Sequence, residues 1–541
     1  MKIIEQQNID VRDFVTREIG EQISTHLGEL LSFINSWLPG GFNSGSHFVA
    51  SQFIRGALVP TAERLLVSEV QLLKVEYESV DPTGNNPATL TGLVIIPQRN
   101  SNNPAMNPAM PLIGFQHGTE LMRKGAPSRF DKKNPLATIE AVIGMILAAN
   151  SGSIITMADY QGLGGDDDHI QPYIGARPLA LSALDLLVDT KDYIQQQDNI
   201  FWSEEVFLTG YSQGGFVTIA AARELEGNSK YADQLPLKAV APCSGPYSLA
   251  DTMRFLMLRE EDFEEGGFFI PMAIRGFNAQ YGDDFAGGLF TKERAFKPEY
   301  QGLWDLVDGH HPPEEVNAMM PPIPRHCLSD EILQQLEDPQ SEGFKVLLEN
   351  ETLNWKPKVP VHLYSSPNDE TVPFDNSVRA FEAMKQHSND VALVPTFSIP
   401  FGGLVHIEAY IPTIFAANSW MITMRKAPEG SMEPGEFIKP GQEVFSPEGK
   451  YCLRYQFDGQ LKQYDMNDIS VKFSADVRNS RHAPGITVNQ ALDGNFVVYD
   501  RANNAQWASD TWGQGQNRVE IRDDGSLVIT DMDGKLVKTL N

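Results

Sequence analysis

Gly210-Tyr211-Ser212-Gln213-Gly214-Gly215 follows the strand-like run EVFLT and precedes the helix-like run FVTIAAARE. A serine on a tight strand-to-helix turn presents its hydroxyl at the strand's carboxyl end, beside a helix N-terminus, and Gly210 and Gly214 leave room for the turn. A serine hydroxyl is a weak nucleophile at its own pKa, so it needs a base, and the base needs a carboxylate to orient it. In a site of this kind the acid and then the base follow the serine in chain order. Among the histidines beyond Ser212, His310, His311 and His326 fall in a stretch without strand–helix alternation, His362 sits inside a strand, His387 ends a polar helix, and His482 belongs to a different C-terminal region. His406 remains, in the loop FGGLVH after the last expected strand. Asp369 is the expected acid, in SPNDETVP where the strand VPVHLYS ends, with its neighbour Glu370 as the rival.

Acyl chemistry at such a serine builds negative charge on an oxygen, which two backbone N–H groups must meet. Gln213, the residue after the nucleophile, supplies one. The other is expected from Gln116-His117-Gly118-Thr119, the loop after the strand PLIGF, with Thr119 as first choice and Gly118 as second. His117 precedes the serine and suits that loop as a packing or hydrogen-bonding residue. This chemistry requires neither a metal nor an organic cofactor. Asp166-Asp167-Asp168-His169 reads as a solvated loop, and His310-His311 as a loop pair without a third ligand at regular spacing.

The elements that must carry these residues are parallel strands with crossover helices. From Pro111 onward the runs PLIGF, GSIITMA, EVFLTG, LKAVAP, VPVHLYS and LVPTFSI alternate with helical patterns near 135–149, 179–197, 214 and 376–386. Between Tyr247 and Pro357 the alternation stops, and an acidic, Phe- and Met-rich insertion is expected outside the sheet. Its apolar runs FLML (255–258), FFIPMAI (268–274) and Met319-Met320 suit either an acyl pocket or ordinary core packing. Val67–Tyr77 and Leu90–Ile96 flank the turn cluster DPTGN and read as an opening hairpin. Residues 1–66 read as a helical segment packed on the body, with Ile19, Ile23, Leu27, Leu30, Leu31 and Ile34 at helical spacing. The composition shifts at 426–436, expected to be a linker, and residues 437–541 repeat Asp-Gly pairs at 458, 493, 524 and 533 within short alternating runs, the mark of repeated β structure.

The chain of 541 residues is too long for one ordinary domain, and 41% hydrophobic with 21% charged residues describes a folded globular protein. Asp and Glu number 71 against 43 Lys and Arg, and the resulting charge of −28 excludes nucleic acid as a partner. The longest apolar stretch, Leu136 to Ala149, contains Glu140 and falls short of the roughly 20 residues that span a bilayer, so a buried helix is expected and no transmembrane segment. Charged and amide residues fill the start, MKIIEQQNIDVRDF, where a signal peptide would be apolar. Cys243, Cys327 and Cys452 offer neither a disulfide framework nor a zinc pattern.

With GYSQGG, the segment GFQHGT (114–119), the segment ADYQGLG (158–164) followed by Pro172-Tyr173, DETVP (369–373) and His406, the chain resembles the α/β-hydrolase superfamily, in its secretory-lipase-like branch. The resemblance covers roughly residues 65–425, with the hydrolase domain at 67–425, and implies an α/β sheet with a helical lid inserted after the sixth strand, matching 247–357. The implied activity is hydrolysis of carboxylic esters, with a small or lipid-like ester as substrate.

Residues 437–541 resemble a bulb-type mannose-binding lectin domain, which implies a β-prism of three similar sheets and the sugar motif Gln-x-Asp-x-Asn-x-Val-x-Tyr. The first copy reads Gln456, Asp458, Gln460, Lys462 and Tyr464, departing at the Asn and Val positions. In the second, Asp493, Asn495, Val497 and Tyr499 match, Ala491 stands at the Gln position, and Gln490 is one residue off; the third is mostly lost. Mannose-containing glycans are the partners this implies, and such a module suits work at a cell surface or on secreted material.

Charge is unevenly spread. The module carries 12 basic and 14 acidic residues, whereas 246–357 carries 9 basic and 21 acidic. Negative charge around the insertion disfavours polyanionic substrates and anionic lipid surfaces, and tilts the expectation towards neutral or cationic esters. A peptidase or amidase of the same fold, and a glycan-binding protein with an inert hydrolase domain, remain as alternatives.

Overall fold

The computed structural model describes residues 1–15, 69–98, 109–197, 200, 202–261, 266–398, 402–425, 430–439, 442–456, 458–475, 477, 484–500 and 504–541. Its body is a nine-stranded sheet of β1 (Lys2–Asp10), β2 (Glu69–Val80), β3 (Pro87–Gln98), β4 (Met110–Gln116), β5 (Ile154–Ala158), β6 (Trp202–Tyr211), β7 (Leu237–Cys243), β8 (Val361–Ser365) and β9 (Val391–Pro395), in the order β1-β2-β3-β5-β4-β6-β7-β8-β9. The expected hairpin is β2–β3, in register from Glu69↔Gln98 to Val80↔Pro87. Strands from β5 through β9 run parallel and are crossed over by helices. Strands covered on both faces read as unbroken apolar runs, and every side chain of β4 and β5 is buried.

Helices α1 (Ile139–Ser151), α2 (Ala176–Gln195) and α3 (Gln213–Gly227) follow β4, β5 and β6. The insertion holds short helices, the longest being α4 (Phe269–Tyr281), α5 (Asp330–Glu337) and α6 (Glu342–Asn350); α7 (Phe374–Lys385) and α8 (His406–Thr423) close the body. One core layer joins α1 and α8 to one face of the sheet, and a larger one joins α2, α3 and the insertion to the other. Among the described residues no helix is long and apolar enough to cross a membrane.

The expectation of a helix from the first residue is corrected by β1, which pairs antiparallel with β2 from Lys2↔Glu76 to Asp10↔Glu69. Nearly all its side chains are exposed, so backbone pairing holds it on the sheet edge and no apolar period announces it. The spaced residues Ile19 to Ile34 lie outside the described residues.

The C-terminal region is all β, in three four-stranded antiparallel sheets. Three short strands in succession, Ser431–Met432, Phe437–Ile438 and Glu443–Phe445, each add to a different sheet. The expected linker 426–436 is therefore already part of this region from Ser431, with Pro434 and Gly435 in the turn between its first two strands. Gly459, Gly494, Gly525 and Gly534, the glycines of the four Asp-Gly pairs, all have positive φ, as tight hairpin turns require. All three sheets send apolar side chains into one core, including Met432 and Ile529, Ile438 and Phe496, and Val444 and Leu453.

Candidate active site

β6 ends at Tyr211 and α3 begins at Gln213, which leaves Ser212 alone on the turn with φ 58° and ψ −123°. Such a conformation costs a non-glycine residue about 1–3 kcal/mol and is held here by its surroundings. Ser212 N–H donates to Cys243 O at 2.9 Å, and Ser212 O accepts from Phe216 N–H at 3.2 Å. A Cβ at Gly214 would stand 1.9 Å from Gln116 O, so only glycine lets α3 approach β4 this closely.

His406 is the first residue of α8. Its Nε2 lies 3.0 Å from Ser212 Oγ and its Nδ1 2.7 Å from Asp369 Oδ2. Asp369 sits in the loop after β8, and its other oxygen accepts from the N–H groups of Thr371 (3.1 Å) and Val372 (2.8 Å). The rival carboxylate serves the same histidine differently, because Glu370 Oε2 accepts the His406 backbone N–H at 3.0 Å. Tyr211 OH donates to His406 O at 2.5 Å, tying the start of α8 to the strand that carries the serine. Burial alone would lower the His406 pKa, but the charge and hydrogen bond of Asp369, with Glu370 behind, hold it above its ordinary value. The three side chains read from the sequence thus form one hydrogen-bonded chain.

The candidate oxyanion donors divide. Gln213 opens α3, so its N–H is among the first-turn donors that lack an intrahelical acceptor. Gly118 N–H is directed to the carboxylate of Glu140, 3.0 and 2.9 Å from its two oxygens, which corrects the place of Gly118 as an alternative donor. Thr119 is buried, with Oγ1 3.1 Å from Tyr173 OH. His117 packs as expected: it is buried, stacks on Tyr160 with centroids 4.1 Å apart, and reaches Gly118 O (2.8 Å) and Asp159 O (3.2 Å) through its ring nitrogens.

A cavity of about 100 Å³ opens beside Ser212 and is lined mainly by apolar side chains from both body and insertion. Of the apolar runs read in the sequence, Met257, Leu258, Phe269, Ile270, Ala273 and Ile274 line it, whereas Phe255 is 76% exposed. Tyr173 and Val372 also line it; both lie in segments that carried the resemblance, but nothing in the sequence marked them as cavity residues, since only the fold brings their loops beside Ser212. Arg123 fastens the insertion to the body, with Nη1 donating to Asp308 O at 2.8 Å and lying 2.7 Å from His310 Nε2. Asp166 is a buried loop-former rather than solvated, accepting from Gly162 N–H at 2.8 Å. Among the described residues no group of three or more His, Cys, Asp or Glu could hold a metal.

The residues read as sugar-binding fall into two cases. Gln456 Nε2 donates to Tyr464 OH at 2.9 Å, and Asp458 Oδ1 accepts from Gln460 N–H at 3.0 Å, so the first copy assembles on one sheet and is at least partly exposed. In the second, Gln490 Nε2 donates to Tyr499 OH at 2.8 Å, filling the place that the sequence left to Ala491. Val497 and Tyr499, however, are only 2% and 4% exposed and pack with Phe437, Ile486 and Val488. Asp493 Oδ1 is taken by Asn495 N–H at 2.9 Å, and Asn495 Oδ1 accepts from Ser509 Oγ at 3.0 Å and Thr511 N–H at 3.2 Å. In the second copy, therefore, Val497 and Tyr499 are buried, whereas Asp493 and Asn495 stay partly exposed with one oxygen of each internally bonded.

No protein-family model and no curated protein matches the chain. Solved structures do. A candidate hydrolase of Legionella pneumophila subsp. pneumophila str. Philadelphia 1 is similar at 27% identity and a TM-score of 0.57, over 68% of this chain and 93% of that one. The rice cell wall degrading esterase LipA of Xanthomonas oryzae is similar at 25% identity and a TM-score of 0.53, over 66% of this chain and 90% of that one. By its sheet order, its Ser212 turn and these likenesses, the chain is a hydrolase of the α/β fold with an esterase among its structural neighbours.

Proposed function

We propose that the chain is a serine carboxylester hydrolase. The observation that carries this reading is the linkage Ser212 Oγ–His406 Nε2 at 3.0 Å and His406 Nδ1–Asp369 Oδ2 at 2.7 Å. His406 takes the Ser212 proton as Oγ attacks the ester carbonyl, Asp369 stabilises the imidazolium, and the N–H groups of Thr119 and Gln213 meet the oxyanion. Collapse expels the alcohol with the proton from His406 and leaves an acyl-enzyme. Water, deprotonated by the same histidine, then releases the acid and restores Ser212.

An apolar cavity beside the nucleophile supports an ester with an apolar acyl group, and the insertion acts as a lid over it. The esterase neighbour supports ester over amide. The C-terminal region is read as a lectin-like β-prism, supported by its three four-stranded sheets around one core. Its glycan site is placed at Gln456, Asp458, Gln460 and Tyr464.

The test is labelling with a fluorophosphonate probe, mapping of the adduct, and turnover of p-nitrophenyl esters of rising acyl length beside aminoacyl amides. Labelling at Ser212, with ester turnover lost in Ser212→Ala, is expected. Labelling elsewhere, or turnover confined to amides, overturns the reading.

A further inference from the structure

Glu140 is the one charged residue in the apolar run Leu136 to Ala149, and its carboxylate is not idle. From the first turn of α1 it accepts the Gly118 N–H with both oxygens, at 3.0 and 2.9 Å. Gly118 lies against the nucleophile, for a Cβ placed there would stand 3.9 Å from Ser212 Cβ and 3.0 Å from Glu140 Oε1. The peptide on the other side of Gly118 is tied as well, because Gly118 O lies 2.8 Å from His117 Nδ1. In a trans peptide N–H and C=O point in opposite directions, so holding Gly118 O towards His117 turns Thr119 N–H away from it. Glycine is the residue with most backbone freedom, and without these two bonds nothing in its own sterics would fix either peptide.

We propose that Glu140 is a positioning residue of the oxyanion loop: by engaging Gly118 N–H it sets the Gly118–Thr119 peptide so that Thr119 N–H meets the oxyanion. The inference rests on the ester-hydrolase reading above and adds a residue that touches neither Ser212 nor the ester. The arrangement also separates two demands on one loop. Gly118 N–H is held by a resident carboxyl group, and Thr119 N–H is left for the transient oxyanion. Burial raises the Glu140 carboxyl to about 7, and the Gly118 N–H opposes that rise by favouring the ionised acceptor.

Glu140→Ala and Glu140→Gln are compared with the wild type for kcat and KM on a p-nitrophenyl ester, for inhibition by a trifluoromethyl ketone of matching acyl length, and for melting temperature. The ketone forms a tetrahedral adduct that needs the same two N–H groups, so its affinity tracks the transition state. The alanine variant is expected to lose about 100-fold in kcat with KM nearly unchanged, the loss typical of misplaced catalytic geometry, and to bind the ketone more weakly in proportion. Glutamine keeps an acceptor oxygen and is expected to restore most of kcat. Should alanine unfold the protein, Glu140→Asp carries the test, with kcat lowered at a near-wild-type melting temperature. Wild-type kcat in the alanine or aspartate variant, or a fall in kcat that leaves ketone inhibition untouched, overturns the proposal. Failure of the fluorophosphonate to label Ser212 in the wild type overturns the ester-hydrolase reading instead, so the two are told apart.

Discussion

The Arg425 guanidinium lies 4.5 Å over the ring of Phe437, and this contact joins the last residue described before the chain leaves the hydrolase body to a short strand of the C-terminal region. Arg425 Nη2 also donates to Ala109 O at 3.2 Å, and its Nε lies 3.7 Å from Glu205 Oε2. Beside it, Ala109 N–H donates to Gly435 O at 2.6 Å and Lys439 Nζ to Ser151 O at 3.1 Å. Ala109 and Glu205 stand near the amino ends of β4 and β6, whereas Ser212 stands at the carboxyl end. The C-terminal region is therefore fastened to the end of the sheet opposite the candidate active site, about 20 Å away at the rise of a strand.

Removing one partner from a buried ionic contact leaves the other charge unpaired and costs about 3–5 kcal/mol. Burial lowers the Arg425 pKa to about 10 against the opposing pull of Glu205, as a desolvated cation requires. Arg425→Met is expected to destabilise the chain by that order and to split one calorimetric transition into two, as body and C-terminal region unfold separately. The double variant with Glu205→Gln is expected to recover part of the loss. An unchanged single transition in Arg425→Met would contradict the fastening role.

The pH dependence of turnover follows from His406. Only the neutral imidazole can take the Ser212 proton, so kcat/KM is expected to rise with pH through an apparent pKa above the ordinary 6.5. In Asp369→Asn the attraction that holds the proton on the ring is gone. The limb is then expected to move to lower pH while kcat falls by about 10⁴-fold, as for the orienting acid in other serine triads. A limb that stays in place in Asp369→Asn would show that another group titrates.

Glu120 makes a separate prediction about stability. It is buried beside Gly125, accepts from Met122 N–H at 2.8 Å, and burial, with Glu140 adding its charge, raises its pKa to about 8. A carboxyl whose pKa is higher folded than unfolded stabilises the fold below its unfolded pKa, and that contribution is lost as pH rises through the folded value. Glu120→Gln keeps the acceptor for Met122 and removes the titration. Its melting temperature is expected to exceed the wild type's at pH 8.5, with the gain shrinking towards pH 5. A gain that is larger at pH 5 would refute the assignment.

The juxtaposition of Ser212, His406 and Asp369 was legible because its signals are local or ordered. Gly210 to Gly215 sit between a strand evident in EVFLT and a helix evident in FVTIAAARE, and Asp369 and His406 follow in the order such a sheet imposes. The fate of Gly118 was not legible, since its N–H is taken by a side chain 22 positions away that only packing of α1 brings near. Glu140 itself was visible as an oddity in an apolar run, yet the sequence gives no sign of what it faces. β1 escaped for the opposite reason, being held by backbone pairing with side chains in solvent. In the C-terminal region the repeat read correctly as hairpins, but which sheet face is covered depends on how that region meets the body.

On the lectin-like reading proposed above, that cover bears on how many sugar sites the region can offer. Of the three sheets, the one bearing Val497 and Tyr499 has this face buried in a cluster with Phe437, the residue beneath Arg425. On the third, Arg522 and Thr530 both bond Glu520, at 2.7 Å each, so an internal ion pair occupies the place of the motif. The first keeps Gln456 and Tyr464 joined at 2.9 Å, with Asp458 exposed beside them. Mannose binding is expected at one site per chain, measured by titration calorimetry of the full chain. Polar side chains that bond sugar hydroxyls are the source of affinity in such a site, so Asp458→Ala with Tyr464→Phe is expected to abolish the heat, whereas Asn495→Ser leaves it unchanged. A stoichiometry above one, or binding that survives the Asp458 and Tyr464 changes, would place the sugar on a different face.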